Sequence, residues 1–448
     1  MGCNQKTNSL HTSIKQAMML HKEFHRTFNS TYFLSFLGDV AIGLFSFAIS
    51  LFTSILGERL GMVDTEKAFW VGIVASGWGA VYWISPVLLG KASDKIGKKK
   101  TLIIGMMGFI IVNFLTLLFA THPVHLFIAY AGTGFFFGAY FPVLNAYASE
   151  ASEHFGEKTH AKVLSRFMIS WSIGLALGPL FGGIFEAFLN HLVSFIVLIF
   201  IATIIIAIAR YFMLDPEQIH IMLSNNNITP LENHTTDQGT GFIIKDKLNL
   251  KLAIFSMPFL TALTSHVMLA IFPAYGIEHV SGGFIFGSMD PALMTSILIF
   301  SLGAGRTFTF YQSASLSKRR MFYLILISPF VLFLTSFLIF ILPVADLLII
   351  IFPVFGAFVG YMFSSGLILL METTTSGKGS QSGLYEGAVG VGTLAAGLLS
   401  SLVGMVDPSF PFLMAAICAI INAMLILIPA IIKAKHQQSK KDLTQEIH

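Results

Sequence analysis

Apolar residues run along this chain in blocks of about twenty, cut by short polar or basic breaks. The blocks are Phe33–Leu56, Phe69–Leu89, Thr101–Ala120, Val124–Ala148, Val163–Ala187, Leu192–Phe212, Leu252–Tyr275, Pro291–Phe310, Met321–Leu342, Leu347–Met371, Gly383–Val406 and Phe410–Ile432. Roughly 20 apolar residues suffice to cross a hydrocarbon core as a helix. Backbone N–H and C=O groups find no water there, so unbroken blocks of this length predict helices rather than strands. The pattern predicts an all-α membrane protein with twelve transmembrane helices.

The polar breaks assign the sides. Of the 27 Lys and Arg residues, all but Arg59, Lys67 and Arg306 fall in alternate breaks or in the terminal segments they share a side with. This asymmetry predicts a multi-pass protein of the cell membrane with both termini in the cytoplasm. The longest polar break divides the blocks six and six. The expected organisation is an amphipathic cytoplasmic segment (1–31), a six-helix bundle (32–213), a cytoplasmic linker (214–248), a second six-helix bundle (249–433) and a cytoplasmic tail (434–448). Asn227 and Asn233 head sequons in the linker, so no glycan is expected on them. The halves look like a degenerate repeat: Lys98-Lys99-Lys100 stands opposite Lys318-Arg319-Arg320, and Gly174…Gly183 opposite Gly392…Ser401. Two pseudo-symmetric bundles follow.

Composition narrows the function. The chain is 55% hydrophobic and 11% charged, where a soluble domain carries about 25% charged residues. Its two cysteines, Cys3 and Cys418, allow no disulfide framework and no Cys-rich metal site. Lys6 stands where a myristoylation pattern wants Ser or Thr, and residues 1–31 lack the apolar core of a signal peptide. No Walker loop, Gly-x-Ser-x-Gly elbow or His-Glu-x-x-His string is present. The expectation is no catalytic residue, no metal, no cofactor and no nucleic-acid partner. The expected partners are membrane lipids, a small-molecule solute and protons, bound by a monomer that draws on a gradient instead of ATP.

Two strings carry more specific information. The first is Gly90-Lys-Ala-Ser-Asp94-Lys95-Ile-Gly97-Lys98-Lys99-Lys100, between the second and third blocks. Its glycines allow a tight turn, and Asp94 can sit near a helix N-terminus or accept from a cation; a plain positive-inside hairpin is the alternative. The second is Gly174-Leu-Ala-Leu-Gly178-Pro179-Leu-Phe-Gly182-Gly183, in the fifth block. Its small residues let helix backbones approach closely, and Pro179 bends the helix. The first string resembles the loop signature of the major facilitator superfamily, and the second resembles a signature of that family's antiporter branches. The resemblance implies two six-helix bundles, alternating access, and a conformational latch made by Gly90, Asp94, Lys95, Gly97, Lys98 and Lys99. Gly174, Gly178, Pro179, Gly182 and Gly183 become a helix-packing motif. The fourth block resembles the family's fourth-helix signature, with Tyr130 where proton-coupled exporters and sugar porters carry Arg.

Ionisable groups inside lipid are costly and mark function by default. Asp39, His266, Arg306 and Glu386 are the candidates, joined by the polar Tyr140 and Asn145 as a proton or substrate site. Each has a plainer reading: Asp39 as an interhelical hydrogen-bonding acid, Glu386 as a helix-start acid, Arg306 as a snorkelling side chain, and His266 as a neutral hydrogen-bonded core residue. Phe135, Phe136 and Phe137 either line a cavity or face lipid. The expected activity is proton-coupled export of an amphipathic compound. Uptake or facilitated transport of a small metabolite such as a sugar or organic acid is the alternative, and a non-transporting membrane sensor with the same fold is a third reading.

Overall fold

The computed structural model describes residues 2–153, 157–213, 247–313, 316–373 and 378–427. Twelve of its helices are long and apolar enough to cross a membrane. They are α1 (Phe28–Arg59), α2 (Asp64–Ile96), α3 (Lys98–Phe119), α4 (Pro123–Asn145), α5 (Arg166–Phe188) and α6 (His191–Phe212) in the first half. The second half holds α7 (Phe255–His279), α8 (Pro291–Ser313), α9 (Tyr323–Ile341), α10 (Ala345–Ile368), α11 (Leu384–Gly404) and α12 (Phe410–Leu427). Among the described residues there is no strand, only a single bridge between Ser281 and Val344.

Each apolar block became one helix, but several helices are interrupted where backbone chemistry demands it. Proline has no N–H to donate, and α2 breaks at Trp83 and Ile84, just ahead of Pro86, into Asp64–Tyr82 and Ser85–Ile96. The second of these pieces corrects the expected turn. Gly90 lies inside that helix with open space around it, and only Gly97, at φ +94°, makes the turn into α3. In α4 the helix opens into turn geometry at residues 138–140. The two breaks abut: Ser85 Oγ donates to the Gly134 carbonyl at 3.3 Å, and Gly138 has no room for a Cβ against Ser85. In α7 the residues Val267–Ile271 form a π-helical turn just before Pro273. Ahead of α1 the helix extends back to Gly2.

One apolar core lies within the first half, around Phe45, Phe109, Phe137 and Phe195. The other lies within the second half, around Phe272, Leu298, Phe352 and Phe412, and takes in Phe47, Leu51, Val71 and Ala75 from α1 and α2. The pairing of helices repeats between the halves. α1 packs on α5 as α7 packs on α11, and α2 packs on α4 as α8 packs on α10. The halves meet along α2–α11 and α5–α8, two seams that the same pseudo-symmetry interchanges. Lipid offers no hydrophobic drive for helices to associate, so close contact depends on small residues. Accordingly Gly72 meets the backbone at Ser401, Gly397 meets it at Ser76, and Gly79 meets it at Leu394.

The aromatic run of α4 packs largely inside the protein. Phe136 covers Gly108 of α3, and Phe137 is buried between Phe109 and Trp78. Between α7 and α8, Asp346 accepts from the backbone N–H of Phe284 at 2.5 Å and of Ile285 at 3.0 Å, which fixes the loop and leaves Phe284 exposed. The sequons at Asn227 and Asn233, almost all of the 214–248 linker and the 434–448 tail lie outside the described residues.

Candidate functional site

The two ends of the bundle are distinguished here by charge: the basic end carries Lys91–Lys100, and the far end carries the α1–α2 and α7–α8 connections. Between them, where the halves meet, five helices bring polar and charged side chains together. Asp39 comes from α1, Tyr82 from α2, Trp171 and Ser172 from α5, Arg306 and Thr307 from α8, and Glu386 from α11.

Asp39 and Arg306 are buried, with 3% and 4% of their surface exposed. Arg306 sits at Ser172 and Asp39 at Gly174, two residues apart on α5, yet Asp39 and Arg306 do not close into an ion pair. Asp39 Oδ2 has no hydrogen-bond partner among the described residues. The acid stands beside Gly174 of the fifth-helix motif, where a Cβ would come 3.0 Å from the Asp39 Cβ. Tyr140 supports it from α4: its hydroxyl donates to the Leu34 carbonyl at 2.5 Å, and its ring fills the space that Gly38 leaves open.

Arg306 is held from α5. Its Nε donates to Ser172 Oγ at 3.2 Å, and its guanidinium lies 5.0 Å from the centre of the Trp171 ring, within cation–π range. The Ser172 and Thr307 hydroxyls are 2.9 Å apart, and Thr307 Oγ1 is also 2.9 Å from the Gly303 carbonyl. A hydroxyl carries one proton. The Thr307 hydroxyl is placed to donate either to Ser172 Oγ or to the Gly303 carbonyl, and Ser172 Oγ accepts from Arg306 Nε. This fixes Ser172 as an acceptor toward Arg306, so the fork does not rotate freely. Arg306 therefore does not snorkel. Glu386 is half-buried and accepts from the Tyr82 hydroxyl at 3.4 Å. Its helix begins at Lys378, so Glu386 lies beyond the first turn, where a helix-start role would place it.

His266 and Asn145 do not join this group. His266 Nε2 is 2.9 Å from the Ala75 carbonyl, which makes Nε2 the protonated nitrogen. Its ring stacks on Tyr130, whose hydroxyl is 2.9 Å from Ser46 Oγ. Ser46 lies two helical turns beyond Asp39, about 10 Å along α1. Asn145 is half-buried near the basic end of α4, without a bond to the Asp39 group.

The fifth-helix glycines divide their work. Gly174, Gly178 and Gly182 face α1, at Phe36, Leu44 and Phe47 respectively, while Gly183 faces Ser296 and Ala292 of α8. Pro179 packs against Gly43. At the far end Glu278, on the last turn of α7, accepts from Ser54 of α1 and from Lys67 of α2 at 3.1 Å. Lys67 also pairs with Asp64 at 2.9 Å. This clamp joins the two halves, and nothing in the sequence singles out Glu278. At the basic end, Asp94 is exposed and makes no hydrogen bond or ion pair with the described residues, while Lys99 Nζ donates to the Met213 carbonyl at 3.0 Å.

The profile of the Major Facilitator Superfamily matches residues 31–310. The chain is 29% identical over 128 residues to the protein ZINC INDUCED FACILITATOR 1 of Arabidopsis thaliana, covering 28% of this chain and 25% of that one. It is 29% identical over 150 residues to the staphyloferrin B transporter of Staphylococcus aureus, covering 33% and 34% respectively. The matched stretches thus span about a quarter to a third of these relatives. The crystal structure of the nucleoside transporter NupG superposes with a TM-score of 0.64 at 17% identity, covering 90% of this chain and 98% of that one.

Proposed function

The chain belongs to the major facilitator superfamily, and on that premise we propose that this secondary transporter exports an amphipathic organic solute by alternating access, driven by protons. One observation carries the reading. Asp39, Arg306 and Glu386 converge where the halves meet, and the acceptor Asp39 Oδ2 is left without a partner. Taking a carboxylate out of water disfavours its charged form, and a protein does not keep such a cost in its core without use. A proton relieves it in one orientation of the carrier, and a cationic part of the solute relieves it in the other. Proton and solute then exclude each other, which is the requirement for exchange.

The contacts at the two ends support a cycle in which this structure is one station. Glu278, Ser54 and Lys67 hold the far end together, and Gly183 packs on α8 nearby. Asp94 is disengaged at the basic end. With the basic loops in the cytoplasm of a cell-membrane protein, this is the state closed to the outside. The latch of Gly90, Asp94, Lys95, Gly97, Lys98 and Lys99 then engages only in the opposite state.

The test is solute flux from proteoliposomes against an imposed pH step. Asp39→Asn and Glu386→Gln are expected to abolish pH-driven flux while sparing downhill exchange. Wild-type pH dependence in both variants would refute proton coupling through these acids.

A further inference from the structure

Arginine carries five N–H donors and keeps its charge in proteins. In Arg306 the Nε donor goes to Ser172 and the guanidinium carbon lies over the Trp171 ring, while neither terminal nitrogen has a hydrogen-bond partner among the described residues. The side chain is 4% exposed, so bulk water does not serve them freely. The complementary orphan is Asp39 Oδ2, an enclosed oxygen on a side chain that is 3% exposed and has no hydrogen-bond partner among the described residues. Arg306 is held at Ser172 and Asp39 packs at Gly174, two residues apart on α5, and yet the two opposite charges do not pair. A pair intended only to neutralise itself would close. Ser172 and Thr307 hold one partner in place, while Gly174 and Tyr140 set the position of the other.

We propose that the solute is a zwitterion: its carboxylate docks on the terminal nitrogens of Arg306 and its ammonium on Asp39. A carboxylate matches a guanidinium fork with two parallel hydrogen bonds. An ammonium supplies the donors that Asp39 Oδ2 lacks, with Glu386 adding negative charge on the same side. Trp171 and Phe363, both half-buried with ring centres 5.9 Å apart and ring planes 74° to one another, offer an aromatic corner beside Arg306. The group joining the two charges is accordingly apolar, and an aromatic ring fits such a corner edge-on or face-on. This assignment rests on the exporter reading above, since it supplies the cationic group that a proton on Asp39 would exclude. It adds an anionic end, which proton exchange alone does not require.

Three near-isosteric probes separate the contributions: 4-(aminomethyl)benzoate carries both charges, 4-methylbenzoate only the anion, and 4-methylbenzylamine only the cation. Binding to the purified full-length protein is followed by thermal stabilisation, without any gradient. A hydrogen-bonded charge is worth enough that the zwitterion should bind about tenfold or more tighter than either single-charge probe. Arg306→Gln should erase its advantage over the amine, and Asp39→Asn its advantage over the benzoate. Arg306→Lys, which keeps the charge but not the fork, should retain part of it. Should either single variant fold poorly, the charge-balanced double variant Asp39→Asn/Arg306→Gln serves instead, and it should bind all three probes alike. Equal binding of the three probes by the wild type, or a zwitterion preference that survives in the double variant, would overturn the proposal. The pH-step experiment is read separately. Zwitterion preference without pH-driven flux would sink proton coupling and leave this site standing, whereas pH-driven efflux of the cationic dye ethidium without zwitterion preference would do the reverse.

Discussion

Replacing Gly183 by Ala should change the balance between the carrier's two states, not its stability in general. A Cβ at Gly183 would fall on the Ser296 side chain and 2.7 Å from the Ala292 carbonyl oxygen, whereas ordinary contact begins at 3.4 Å. The Ser296 hydroxyl can turn aside, but the Ser296 Cβ and the Ala292 carbonyl are fixed by the α8 backbone and cannot. The helices must part by several tenths of an ångström at the far end, and overpacking of this kind costs about 1–3 kcal/mol. That cost exists only while α5 and α8 are pressed together there, so it shifts the population about 5–150-fold toward the state open at the far end. Gly178→Ala is the matched control. Its Cβ would lie 2.5 Å from Leu44 N and 2.6 Å from the Val40 carbonyl, both within the same half. The strain there is present in both states and should lower thermal stability instead. Spin labels at Val63 and Ile285, which are exposed on opposite halves at the far end, report the separation. Gly183→Ala should lengthen it, and Gly178→Ala should leave it unchanged with a lower melting temperature. If the two variants show the same distances and the same loss of stability, the division of the motif between two partners is wrong.

Glu278→Gln keeps the Ser54 contact but discharges the Lys67 pair; a half-exposed pair of this kind is worth about 1 kcal/mol, so the same label pair should report a roughly fivefold gain in far-end opening, larger at low salt. Asp94→Ala should leave the present state intact and weaken its opposite, giving normal expression, reduced transport and a far end that stays closed in the spin-label measurement. A cysteine at Phe284, exposed at the far end, should react with an impermeant maleimide on intact cells, while one at Asp94 should react only after permeabilisation. The pH-step flux of Asp39→Asn and Glu386→Gln completes the set.

The fold class was legible because lipid imposes a length rule on every block, and twelve blocks became twelve crossing helices. The edges were least legible where polar residues stay helical. The second block was expected to end at Leu89, yet the helix continues to Ile96 because Pro86 starts a fresh segment that carries the basic residues outward. Asp39, Arg306 and Glu386 stood out because charge is conspicuous inside an apolar block. Their surroundings did not. Trp171, Ser172 and Tyr82 are ordinary residues of membrane helices, and Ser172 meets Arg306 across 134 residues of chain. Apolar lipid-facing and core-facing sides look alike in sequence, so no periodicity shows which face of α5 turns toward α8. Glu278 was invisible for a different reason: an acid at a helix end near water is unremarkable until its partners, Ser54 and Lys67, arrive from the other half.

The seam between α2 and α11 bears on speed. At Gly72, Gly79 and Gly397 one backbone rests on another, with only the short side chains of Ser401, Thr393 and Ser76 beside them. Surfaces that mesh through side chains must reset rotamers as they slide, whereas bare backbone can roll with little internal friction. Collective domain movements run in microseconds to milliseconds. On the proposed cycle, the pace of turnover is governed at the ends, by how fast Glu278 releases Ser54 and Lys67. One methyl group added at any of those three glycines should then act as a brake.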